Sequence, residues 1–161
     1  MIRAVMGVLL AGALLPAPGK AAPRDLVRIT PLESPQLARR GRRLEIAVGF
    51  TVAPGYHINS SRPSQPYMIP TRLEWAASAL KHLEDVFPAA KNKQFSFSPR
   101  QKLAVYEGEQ TLKARFAVPE TAPLGKITLE GKLRYQACDD KVCYPPASVT
   151  IQVPVEIPAR E

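Results

Sequence analysis

An antiparallel, all-β sandwich is the fold this sequence predicts, and three of its features carry the prediction. Apolar residues recur at every second position in several stretches, which places them on one face of a sheet while polar residues take the other. Turn-forming clusters such as Ala53-Pro54-Gly55 and Ala122-Pro123-Leu124-Gly125 separate these stretches. The 17 prolines among 161 residues work against long helices, because a proline inside a helix removes a hydrogen bond and collides with the preceding turn.

The alternation is clearest in RRLEIAVGFTV, residues 42–52, where Leu44, Ile46, Val48, Phe50 and Val52 form one apolar row. Leu73 and Trp75 mark a strand in TRLEW, and Leu103 with Val105 a shorter one. Three more rows follow: Leu112, Ala114, Phe116 and Val118; Ile127, Leu129, Gly131, Leu133 and Tyr135; then Val149, Ile151, Val153, Val155 and Ile157. One short helical candidate lies at Ala76–Leu83. Six or more short strands separated by turns are expected to pack as an immunoglobulin-like β-sandwich. The pair of cysteines that bridges the two sheets of an antibody domain is missing, since Cys138 and Cys143 are too close in sequence for that.

The amino terminus reads as an export leader. Arg3 precedes an apolar run from Ala4 to Leu15, and PAPGKAAP follows, with small residues at Gly19 and Ala21. Residues 1–21 are therefore expected to be a cleaved signal peptide, which leaves residues 22–161 as one exported domain. The apolar run is shorter than the about 20 residues that span a bilayer, so no membrane span is expected. Net charge is +8, and the leader holds two of the cations and no acid. The arginines gather at Arg39, Arg40, Arg42 and Arg43. No aromatic residues interleave with them as a nucleic-acid groove would require, so they read as a solvated strand edge with no assigned partner.

YQACDDKVCYPP, residues 135–146, holds both cysteines with four residues between them. Cys138 ends one alternating strand and Cys143 begins the approach to the next, so the loop is expected to close a hairpin. Opposed residues of an antiparallel pair lie about 4.5–5.5 Å apart, within the reach of a disulfide. Closing so few residues restricts the unfolded chain by only about 2 kcal/mol. Spacing alone leaves three readings open: a structural staple, a pair that exchanges disulfides, or a metal site drawing on His57, His82 and Met68. Asp139 and Asp140 disfavour a thiolate at Cys138 and Lys141 favours one. Neither thiol is strongly activated, which suits a relay attacked by a partner's thiolate.

That segment resembles the active-site segment of the DsbD amino-terminal domain family, the periplasmic domains of thiol:disulfide interchange proteins. GYHINSSRPSQPYMIPTRLEW, residues 55–75, and FSFSPRQKLAVYEGE, residues 95–109, are similar to two further family segments, in the family's order. The resemblance implies a protein thiol-disulfide oxidoreductase whose redox pair is Cys138 and Cys143, with no cofactor beyond that pair. Electrons would come from a thioredoxin-like donor and pass to a disulfide isomerase or a cytochrome c maturation thioredoxin. It also implies an aromatic cap at Phe95 or Phe97, although two phenylalanines alternating in QFSFS are equally core residues of a strand. His57 and Asn59 fall in a segment that the family places near the disulfide, His57 as a charge able to tune a thiol. Tyr135 and Tyr144 flank the pair, and Asp139 adjoins it. The loop is one residue shorter than in the best-known member of the family. Nothing after Glu161 corresponds to the family's membrane segment and thioredoxin-like domain, so the donor is expected to be a separate protein. The rival reading is a non-catalytic immunoglobulin-like binding module with a permanent disulfide.

Overall fold

A computed structural model describes residues 25–159; the expected signal peptide, residues 1–21, lies outside them. Twelve strands form three four-stranded sheets among the described residues. The front sheet joins β1 (Val27–Ile29), β3 (Arg43–Val52), β9 (Glu109–Ala117) and β6 (Lys81–Val86) in that order. The back sheet joins β2 (Gln36–Leu37), β12 (Ala147–Ile157), β10 (Gly125–Tyr135) and β5 (Arg72–Trp75). A third, smaller sheet runs β11 (Ala137–Cys138), β4 (His57–Asn59), β8 (Ser98–Tyr106) and β7 (Lys91–Phe95).

The period-two rows do the packing. Leu44, Ile46, Val48 and Phe50 of β3 and Leu112, Ala114 and Phe116 of β9 share one buried cluster with Leu129 and Leu133 of β10 and Ile151, Val153 and Val155 of β12. Each large apolar side chain buried there contributes about 1.5–3 kcal/mol relative to exposure. β10 and β12 pair over their full length, from Gly125 opposite Ile157 to Tyr135 opposite Ala147. All pairings are antiparallel except that of β2 with β12, which is parallel. The front and back sheets thus form the immunoglobulin-like sandwich that the rows imply.

The helix expected at Ala76–Leu83 does not form. The Ala76 amide donates to the Glu130 carbonyl, Ser78 ties its hydroxyl to the Leu80 backbone, and β6 then pairs with β9. So short a helix is marginal in water, whereas the edge of β9 offers a full ladder of partners. The ladder slips between His82 and Glu84, and Leu83 is left exposed.

Trp75 connects the two sheets of the sandwich. It lies opposite Gly131 in the back sheet and meets the Phe116 ring of the front sheet edge-on, at 5.1 Å. Its indole N–H donates to Asp85 at 3.2 Å. A Cβ on Gly131 would come within 2.9 Å of the Trp75 ring. We therefore expect Gly131→Ala to cost about 1–3 kcal/mol through overpacking, seen as a lower urea midpoint with an unchanged slope.

Candidate functional site

The third sheet builds the site. After β10 the chain passes Gln136 and enters β11, where Ala137 stands opposite Ile58 and Cys138 opposite His57 of β4. Residues 139–142 then reverse the chain, so that Cys138 and Cys143 face each other in an isolated antiparallel bridge. The two are joined in a disulfide with their Cα atoms 3.9 Å apart. That is closer than the spacing expected of opposed strand residues, because the turn between them is drawn tight. Asp139 Oδ1 accepts from the backbone N–H groups of both Lys141 and Val142, at 2.8 Å each. The Asp139 amide donates to the Val142 carbonyl at 3.0 Å. Aspartate favours this local geometry because its short side chain reaches the amides just ahead of it.

The two cysteines differ sharply in access. Cys138 is 1% exposed, whereas Cys143 is exposed. The turn between β7 and β8 lies against their loop, fastened by the Ser96 hydroxyl, which donates to the Asp140 carbonyl at 2.8 Å. Three rings stack there: Phe95 on His57 at 4.0 Å, and Phe97 on Phe95 at 5.3 Å. Phe95 ends β7 and is buried in a small core of its own with Leu103, Val105 and Met68. Phe97 lies beyond the strand, 42% exposed. One phenylalanine is thus core as well as neighbour to the loop, and the other stands outside. The Lys93 ammonium sits 5.6 Å from the Phe95 ring centre and pairs with Glu107 at 2.6 Å.

His57 is only 2% exposed. Its Nε2 has no hydrogen-bond partner among the described residues. Burial holds the imidazole below its ordinary pKa, with Glu107 opposing the shift. Asn59, two residues on, donates to the Ile69 carbonyl at 2.9 Å and to Gln136 Oε1 at 3.3 Å. Gln136 donates in turn to the Tyr144 carbonyl at 3.1 Å. This bracket behind the loop, along with Tyr56 beside Tyr144, is not visible in the sequence. Only the position of Gln136 next to the cysteine segment could have signalled it.

The flanking tyrosines part company. Tyr135 is buried in the main core of the sandwich. The Tyr144 hydroxyl donates to Asp139 Oδ2 at 2.7 Å, so Asp139 braces the loop from inside. That hydrogen bond, reinforced by burial, pushes the Tyr144 phenol up to about 12. The raised value means that the folded protein holds the phenolic proton more tightly than the unfolded chain does. The stability this contributes is complete below about pH 10 and is lost as pH rises through 12. We expect Asp139→Asn to bring the phenol back towards 10, read by ultraviolet titration of tyrosinate.

The Arg39–Arg43 cluster lies at the other end of β3, roughly 30 Å along the strand from the site. There Arg40 donates to the Ala122 carbonyl. Among the described residues, no group of three or more His, Cys, Asp or Glu side chains is placed to hold a metal ion. Among them too, no helix is long and apolar enough to cross a membrane.

The family described as "Thiol:disulfide interchange protein DsbD, N-terminal" matches residues 29–154. The DsbD N-terminal domain of Neisseria meningitidis, solved in the reduced form, is 21% identical, with 68% of this chain and 76% of that one covered and a TM-score of 0.46. The N-terminal periplasmic domain of ScsB from Proteus mirabilis is 14% identical over 81% of this chain, with a TM-score of 0.51. The match takes in 45% of the ScsB chain, so this chain spans less than half of it. At an identity this low the ScsB match speaks to the fold alone. No curated protein matches the sequence. The family match takes in most of both sheets of the sandwich and the whole disulfide hairpin, and the chain belongs to the DsbD N-terminal domain family.

Proposed function

We propose that this domain relays reducing equivalents in the periplasm, taking them from a thioredoxin-like donor through Cys138 and Cys143 and passing them to thioredoxin-like acceptors. Acceptors of the kind the resemblance implies are disulfide isomerases and thioredoxins of cytochrome c maturation. The observation that carries this reading is the asymmetry of the pair, Cys143 exposed and Cys138 buried. The leader-like residues 1–21 and membership of the family support the compartment.

In the reducing half-reaction a donor thiolate attacks Cys143 Sγ, the Cys138–Cys143 bond breaks and Cys138 leaves as the thiolate. The donor's second thiolate then attacks its own sulfur in the mixed disulfide and releases Cys143. The domain is left as a dithiol and the donor as a disulfide. Passing the electrons on reverses these steps against an acceptor disulfide.

Equilibration of the purified protein with glutathione or dithiothreitol, followed by thiol trapping, tests the reading. A potential between about −270 and −120 mV, the span of thioredoxin-like partners, supports the relay. A disulfide below about −300 mV that yields only when the fold is lost would make it a staple. The protein would then be a non-catalytic binding module.

A further inference from the structure

Cys138 is the less accessible half of the pair, and its chemistry has to run without water. It stands directly opposite His57 in an antiparallel pair, so the two side chains leave the same face of the sheet with Cβ atoms about 4.5–5.5 Å apart. The imidazole is itself buried, and its Nε2 is an orphan among the described residues. Buried polar atoms nearly always have a partner, and an exception calls for a reason. Phe95 is stacked on the ring at 4.0 Å with Phe97 beyond, and these apolar neighbours offer the nitrogen no partner. The residue that carries this orphan nitrogen faces, across the strand pair, a cysteine that must shed a proton in a dry site, which makes it a proton acceptor in waiting.

We propose that His57 accepts the Cys138 thiol proton in the step that re-forms the disulfide, an inference that rests on the exchange reading above. As the Cys138 sulfur attacks Cys143 Sγ of a mixed disulfide, its proton passes to the imidazole. The bond between Cys143 and the acceptor breaks, the acceptor sulfur leaves with the electron pair as a thiolate, and the Cys138–Cys143 bond forms. The imidazolium then sheds its proton through the open groove of about 460 Å³ that His57 lines together with Lys93, Glu107 and Asp140.

The charges around the ring suit that role. Lys93 reaches it from β7, Glu107 from beyond β8, and Asp139 and Asp140 from the cysteine loop. Lys93 is already paired with Glu107. Asp139 Oδ1 is held by the loop amides and Oδ2 by Tyr144. The carboxylates favour an imidazolium and disfavour a lone thiolate, so the proton has a reason to move as the sulfur attacks. Burial favours the neutral imidazole, in which one of the two ring nitrogens is able to accept a proton.

The reduced protein mixed with 5,5′-dithiobis(2-nitrobenzoate) separates the steps without any partner protein. A bimolecular phase loads Cys143, and a unimolecular phase releases the second thionitrobenzoate as Cys138 attacks. In His57→Gln and His57→Phe we expect the ratio of second-phase to first-phase rate to fall at least about tenfold near neutral pH. The second phase of the variants should also climb steadily with pH where the wild type levels off. A ratio within about twofold of wild type, with the same pH profile, overturns the proposal. If neither variant folds, proton NMR titration of His57 in the wild type decides the matter. A shift in its midpoint between the disulfide and dithiol forms supports coupling to the thiol, and identical midpoints overturn it. Failure of the relay reading shows separately, as an absence of exchange with thioredoxin-like proteins whatever the two phases do.

Discussion

Cys143→Ala abolishes mixed-disulfide formation with a thioredoxin-like protein, whereas Cys138→Ala accumulates it. Attack requires a sulfur that a second protein can reach, and Cys143 is exposed while Cys138 is 1% exposed. Without Cys138 nothing inside the domain can resolve the bond to the partner, so the complex persists. Without Cys143 the remaining thiol stays behind the Phe95 turn and its own loop. Both variants should fold, because losing a cross-link over so short a loop costs only about 2 kcal/mol. Non-reducing gel electrophoresis after mixing each single-cysteine variant with an activated thioredoxin-like protein reads the result. Equal trapping by the two variants would sink the assignment of Cys143 as the sulfur that partners attack.

The second large effect is expected at Phe95. Truncation to alanine empties the small core formed with Leu103, Val105 and Met68 and removes the ring stacked on His57. A buried phenylalanine cut to alanine costs about 3–5 kcal/mol. The same change uncovers the disulfide loop, so reduction by dithiothreitol should accelerate. Phe97→Ala separates the two consequences, since Phe97 is 42% exposed and its loss should leave stability within about 1 kcal/mol. Faster reduction in Phe97→Ala without a lower urea midpoint would identify shielding as such. Unchanged reduction rates in both variants would mean that neither ring shields the disulfide.

The sandwich is legible in the sequence because its strands bury one face each. β3, β9, β10 and β12 alternate over nine residues or more, and a period of two sustained over that length fits a half-buried strand and no helix. β6 and β7 are not legible, because nearly all of their residues are exposed. An edge strand held by its backbone ladder leaves little trace in hydropathy, and the alanine-rich run from Ala76 to Leu80 mimics a helix. At the site, the cysteine hairpin is readable from spacing. The partnership of His57 with Cys138 is not, since the two lie far apart in the chain and only strand register unites them. In the sequence Asp139 reads as a charge acting on a thiol, while in the fold its carboxylate holds two backbone amides and a phenol. An aspartate heading a four-residue reversal is a turn signal in its own right, and here the turn outweighs the charge.

The small core under β7 and β8 is separate from the large one in the sandwich. Cooperative units of a protein open at free energies set by their own buried contacts, so this corner can fray while the two main sheets stay intact. Should the Phe95 corner shield the disulfide, the lifetime of that shield would be decided locally, by four side chains, and not by the melting point of the whole domain. Selection could loosen or tighten that guard to suit different partners while the scaffold beneath it drifted on independent terms.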